Sequence, residues 1–113
     1  MSNYNVVRSK FTLRERFIAA SNYASTLLDL QRFKEVKTLL RRTMSVARRV
    51  LGNGDRLTLK MKWIYAQTLC QDDGATLDDL REAVETLADA ERIARRVLGG
   101  THPLSINIEG NLR

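Results

Sequence analysis

His102 is the one histidine in this chain of 113 residues and Cys70 the one cysteine. A lone histidine rules out a His-based metal cluster. It also leaves no second half for a Ser-His-Asp or Cys-His nucleophile pair. Cys70 excludes an internal disulfide, as suits a reducing compartment, and with no basic neighbour it reads as a small packing residue. The carboxylates Asp72, Asp73, Asp78, Asp79 and Glu82 resemble a cation site in composition, but their spacing departs from the D-x-[DN]-x-[DN]-G loop. Asp78 and Asp79 follow Thr76 directly, where carboxylates favour the start of a helix, so capping is the expected role. Gly52-Asn53-Gly54 and Gly99-Gly100 are followed by no G-K-[ST], so no phosphate loop is expected. No acid, base and nucleophile converge in this sequence. The expectation is a binding protein without catalysis or cofactor.

Arginines supply the other chemistry. Arg41 with Arg48 and Arg42 with Arg49 lie seven apart, two helical turns, and with Lys34 and Lys37 they predict a basic stripe on an outer surface. Such a stripe could take a nucleic acid or another acidic surface. Base-stacking aromatics are not interleaved with it, so a solvated face is the simpler expectation. The net charge of +6 is unevenly spread. Residues 1–62 carry 14 Lys or Arg against 4 Asp or Glu, a balance of +10, and residues 63–113 carry 5 against 9, a balance of −4. Such polarity steers acidic partners to the first half or brings copies together head to tail.

The elements that must position these groups are helices. Leu13, Phe17, Ala20, Ala24 and Leu27 keep three-and-four spacing, with Thr12 and Glu15 placed as a capping box. Phe33, Val36, Leu40, Met44, Ala47 and Leu51 do the same before Gly52. Leu57, Met61, Tyr65 and Leu69 predict a helix over about 56–71 with Asp55 as its cap, and Leu80, Ala83 or Val84, Leu87, Ala90, Ala94 and Val97 or Leu98 predict a fourth. No apolar run approaches the roughly 20 residues that span a bilayer, and the polar start lacks the apolar core of a secretory signal, so a cytoplasmic protein is expected.

These helices are copies. "ARRVLGGTHPLSI" at 94–106 repeats "ARRVLGNGDRLTL" at 47–59, an offset of 47, and Tyr23-Ala24 recurs as Tyr65-Ala66, an offset of 42. Five extra residues in the segment QDDGATLDD account for the difference, and a turn tolerates them. The resulting expectation is an N-terminal extension over 1–11 and a repeat domain over 12–113. Its units run 12–54 and 55–101, and a partial third, 102–113, is opened by Pro103.

The run from Ala94 through Leu98-Gly99-Gly100-Thr101-His102-Pro103-Leu104, with Asn111-Leu112 beyond it, resembles the junction between tetratricopeptide repeats of the kinesin light chain type. Asn22-Tyr23-Ala24 stands at the matching "N-L-A" position, and Phe33, Glu35 and Val36 at the opening of the second helix. The resemblance implies an all-α right-handed superhelix of two full hairpins plus a partial third, which binds protein partners without catalysis. It also implies that the first helix of each pair lines a concave groove. Residues there that point away from the packed stripe are Ile18, Ser21, Asn22, Ser25 and Asp29 in unit one, Lys60, Trp63, Gln67 and Gln71 in unit two, and Asn107 and Asn111 in the third. Their amides and hydroxyls suit a peptide backbone, Trp63 an apolar anchor and Lys60 an acidic side chain. Ser21 and Ser25 stand where the family's carboxylate clamp has Lys and Asn, so binding of a chaperone tail is not expected. The alternative is self-association into a homodimer, a second chain covering the unfinished third unit.

Overall fold

A computed structural model describes the backbone of residues 2–98 and side chains from Leu13 to Val97. Four helices follow one another, with no strand among the described residues: α1 (Ser2–Asp29), α2 (Phe33–Val50), α3 (Arg56–Gln71) and α4 (Leu77–Leu98). The third and fourth hold the spans that periodicity predicts. The first does not start at Thr12. It runs unbroken from Ser2, so Thr12 and Glu15 lie inside a helix and do not begin one. Once turns either side are helical, the backbone donors that a capping box would satisfy already have partners.

Local chemistry closes each turn. At the end of α1, the Arg32 N–H donates to the Leu27 carbonyl and the Gln31 N–H to that of Leu28, both at 2.9 Å, which is a Schellman motif. It requires Gln31 to take φ of 60°, a conformation that glycine adopts far more cheaply. After α2, Gly52 occupies the equivalent left-handed position at φ 92°. Asp55 caps α3, its Oδ1 accepting from the Leu57 N–H at 2.9 Å. Thr76 and Asp79 exchange reciprocal bonds at the start of α4: the Thr76 N–H donates to Asp79 Oδ2 at 3.0 Å and the Asp79 N–H to Thr76 Oγ1 at 3.1 Å.

Packing follows chain order with one addition. α1 lies on α2, α2 on α3 and α3 on α4, and α1 also lies on α3. α4 makes no comparable contact with α1, so the helices do not close into a bundle. Having three neighbours, α3 is buried almost all round. Nine of its sixteen residues are buried, Thr58 and Thr68 among them.

The recurrence seen in the sequence is repeated in burial. Phe17, Ala24 and Leu27 of α1 are core residues, and so are Leu59, Ala66 and Leu69, 42 positions on. Val36, Leu40 and Ala47 of α2 are core residues, as are Ala83, Leu87 and Ala94, 47 positions on. The alanines hold the helices close where a larger side chain would force them apart. A similar approach fixes the far end of α4: a Cβ on Gly54 would stand 3.0 Å from Val97 Cγ2.

Candidate partner-binding surfaces

The described residues form three candidate surfaces, two of them built on α3. The first is its own outer face. Lys60, Gln71 and Cys70 are exposed and Trp63 and Gln67 half-buried, a narrow polar strip on an otherwise enclosed helix. Gln71 Nε2 donates to Gln67 Oε1 at 3.0 Å along this strip. The Trp63 indole nitrogen is shielded from solvent and has no hydrogen-bond partner, while part of the ring system remains open. On the adjacent α1, Ile18, Asn22 and Asp29 are exposed and Ser25 half-buried.

Ser21 differs from the outward position expected of it. It is 1% exposed, its hydroxyl is unpartnered, and it lies inside the packing of α1. Its position sets this: Ser21 lies four from both Phe17 and Ser25 and three from Ala24, on the edge of the stripe that α1 turns toward its neighbours. Cys70 differs in the other direction, being exposed where a packing role was expected. Asn107 and Asn111 lie outside the described residues, as do His102 and the partial third unit.

The second surface is a cleft of about 370 Å³ with α2 on one wall, α4 on the other and α3 as its floor. Arg41 Nε donates to the Tyr65 hydroxyl at 2.9 Å, with the guanidinium 5.8 Å from the ring centroid, and that hydroxyl in turn donates to Glu82 Oε2 at 3.0 Å. The bond to Tyr65, with the field of its oxygen, pushes the Arg41 pKa up. Burial is the main cause that raises that of Tyr65, opposed by Arg41 and reinforced by Glu82. Both groups therefore keep their protons throughout the neutral range. Beside them Lys62, 7% exposed, extends its ammonium to Asp89 at 3.1 Å. Arg48 and Glu85 complete the walls.

The third surface lies between α1 and α2, where Tyr23, Leu27, Lys34, Thr38, Leu39 and Arg42 border a cleft of the same volume. Arg41 and Arg42 thus open onto different clefts, and the cations expected as one outer stripe are divided between two faces. Arg41 is also occupied by Tyr65, whose hydroxyl in turn bonds Glu82, and Arg48 lines the same cleft as the carboxylates of α4. Arg49 is exposed. Adjacent residues on a helix point about 100° apart, and the i, i+7 spacing within each pair does not bring the two pairs together.

The carboxylate run dissolves in the same way. Asp72 accepts from Lys37 at 2.8 Å, Asp79 caps α4, Glu82 holds Tyr65, and Asp78 lies 3.9 Å from Arg81. No group of three metal-ligating side chains comes together among the described residues. The contacts among Lys62, Asp89, Tyr65 and Glu82 carried no sequence signal. Lys62 and Asp89 are 27 positions apart in different helices, and only the packing of α4 on α3 joins them.

No family model, curated protein or solved structure matches this chain. No helix among the described residues is long and apolar enough to cross a membrane.

Proposed function

We propose that this chain is a non-catalytic protein-interaction scaffold of tetratricopeptide type that binds an extended peptide along the adjacent outer faces of α1 and α3. The observation that carries this reading is the enclosure of α3. A helix buried by three neighbours keeps one strip open, and that strip holds Lys60, Trp63, Gln67 and Gln71. Asn22, Ser25 and Asp29 extend it onto α1, which packs directly on α3. A partly open tryptophan flanked by amides and a lysine supplies an apolar anchor, backbone hydrogen bonds and a charge for an acidic side chain. The matching burial of α1 with α3 and of α2 with α4 supports stacked hairpins, and their right-handed superhelical stacking belongs to the same proposal. One exposed thiol and no disulfide suit a reducing, cytoplasmic setting.

The test is selection of peptides from a random displayed library on the immobilised chain, followed by titration of the selected peptides against variants. Binding weakened about tenfold or more by Trp63→Ala and by Lys60→Ala, and unchanged by Arg49→Ala on the outer surface, supports the reading. Peptides that bind all three variants alike place the site elsewhere. Helical content measured by circular dichroism separates loss of the groove from loss of the fold at Trp63.

A further inference from the structure

The joint between α2 and α3 is a template whose two sides recur, exposed, among the described residues of α1 and α4. α3 covers its side of that joint with the stripe Thr58, Met61, Tyr65, Thr68 and Asp72, the first four buried and Asp72 half-buried. Forty-two positions earlier, α1 and the turn that follows it carry the equivalent stripe Arg16, Ala19, Tyr23, Thr26 and Leu30, and every one of these is exposed, Tyr23 at 54% and Leu30 at 61%. On the other side of the joint, α2 offers Lys37 and Arg41. Forty-seven positions on, α4 carries Val84 and Ala88, exposed in line with Leu80 and Leu77, with Val84 at 57%. Among the described residues, α1 thus presents an exposed first-helix face and α4 the opposite, second-helix face.

The residues on these two faces can be compared with those of the joint pair by pair. Within the chain, Lys37 pairs with Asp72 and Arg41 bonds Tyr65. The equivalents at the open ends are Val84 with Leu30 and Ala88 with Tyr23. An ion pair corresponds to two apolar side chains of similar size, and a guanidinium on a tyrosine corresponds to a methyl beside a tyrosine. The cleft bordered by Tyr23, Thr38, Leu39 and Arg42 is likewise the 42 and 47 offset counterpart of the cleft at Tyr65, Glu85, Thr86 and Asp89, without the helix that α2 supplies to the latter. Charge agrees with shape: the half that contains α1 and α2 has a balance of +10, and the half that contains α4 has −4. Exposed apolar stripes on both ends are otherwise a solubility cost.

We propose that the partner of these two faces is a second copy of this chain, bound head to tail, with the Leu77–Leu80–Val84–Ala88 stripe of one copy laid on the Ala19–Tyr23–Leu30 stripe of the next. Because the two faces differ, the contact is heterologous and each added copy leaves one end open, so assembly proceeds past the dimer.

Sedimentation of the full chain at rising concentration is the first measurement, and the expected result is an average mass that grows beyond that of a dimer. Val84→Glu and Leu30→Glu, both at exposed positions, each leave the circular dichroism unchanged and each hold the chain as a monomer. Mixed in equal amounts, these two variants form a one-to-one complex and nothing larger, since only one intact face of each kind remains. The double variant V84K/L30D rebuilds between copies the pair that Lys37 and Asp72 make within one, and restores association in a salt-sensitive form. A chain that stays monomeric at every concentration overturns the proposal, as does association that either single variant leaves intact, which would indicate a symmetric contact through one face.

Discussion

Arg41 and Tyr65 stand 24 positions apart and meet at 2.9 Å, guanidinium to phenol, across the joint between α2 and α3. The phenol passes the contact on to Glu82, so one hydroxyl links three consecutive helices. Tyr65 is 4% exposed while both partners reach solvent, so the phenol depends on Arg41 and Glu82 for its hydrogen bonds, whereas water can replace the phenol at either partner.

Tyr65→Phe keeps the ring and removes the link. The expected loss is about 1 kcal/mol, seen as a fall in the thermal midpoint of about 4–8 °C. Arg41→Ala in the Tyr65→Phe background should cost less than in the native chain, and a double-mutant cycle reads that coupling. Additive losses would mean that the contact contributes nothing.

Lys62 and Asp89 form an unequal pair, the lysine enclosed and the aspartate side chain 42% exposed. Removing the carboxylate leaves an enclosed ammonium without its partner, whereas removing the ammonium leaves a carboxylate that water and Arg92, at 2.5 Å, still satisfy. Asp89→Ala therefore destabilises by about 1–2 kcal/mol, and Lys62→Met, which keeps the length of the side chain, by less. Urea midpoints of the two variants check the order.

Stability should fall in acid. The Lys37 hydrogen bond, aided by the Gly74 N–H, holds the Asp72 carboxyl below its usual range, and the Thr76 N–H does the same for Asp79. Burial pushes Asp89 upward, but the bonds from Lys62 and Arg92 outweigh it and its net shift is also downward. With folded values below the unfolded value of about 3.9, the unfolded chain takes up more protons as the pH drops. The stabilisation is complete above about pH 5 and is lost as the pH falls through the folded values. Urea midpoints from about pH 7 to pH 3 should decline, and Asp72→Asn with Asp89→Asn should flatten the decline.

Gln31 and Gly52 occupy the same backbone region after successive helices, one with a side chain and one without. Gln31→Gly should stabilise by about 1 kcal/mol through relief of the left-handed conformation, and Gly52→Ala should destabilise by a similar amount although nothing lies within 4 Å of the added carbon. Denaturant melts of the pair test whether backbone conformation alone decides the sign.

The helices were legible in the amino-acid pattern. Three-and-four spacing marks α2, α3 and α4 because only a helix brings such residues to one face, and Asp55, Thr76 and Gly52 act through groups one to four positions away. The 47-residue offset read from the doubled clause also pairs Val36 with Ala83 and Leu40 with Leu87, and all four are buried, since like patterns pack alike. The start of α1 escaped, because Thr12 and Glu15 make as good a cap as many real ones, and helical turns on either side decide whether a cap forms. The surface came from packing alone: that Ser21 is inward, that Arg41 and Arg42 part company, that Tyr65 bridges α2 to α4, and that Tyr23 and Val84 are exposed. Those outcomes depend on which helix lies against which, a matter of contacts between residues such as Tyr65 and Glu82, 17 positions apart, or Lys37 and Asp72, 35 apart. Periodicity ranks the faces of a helix but is silent about which neighbour covers each of them.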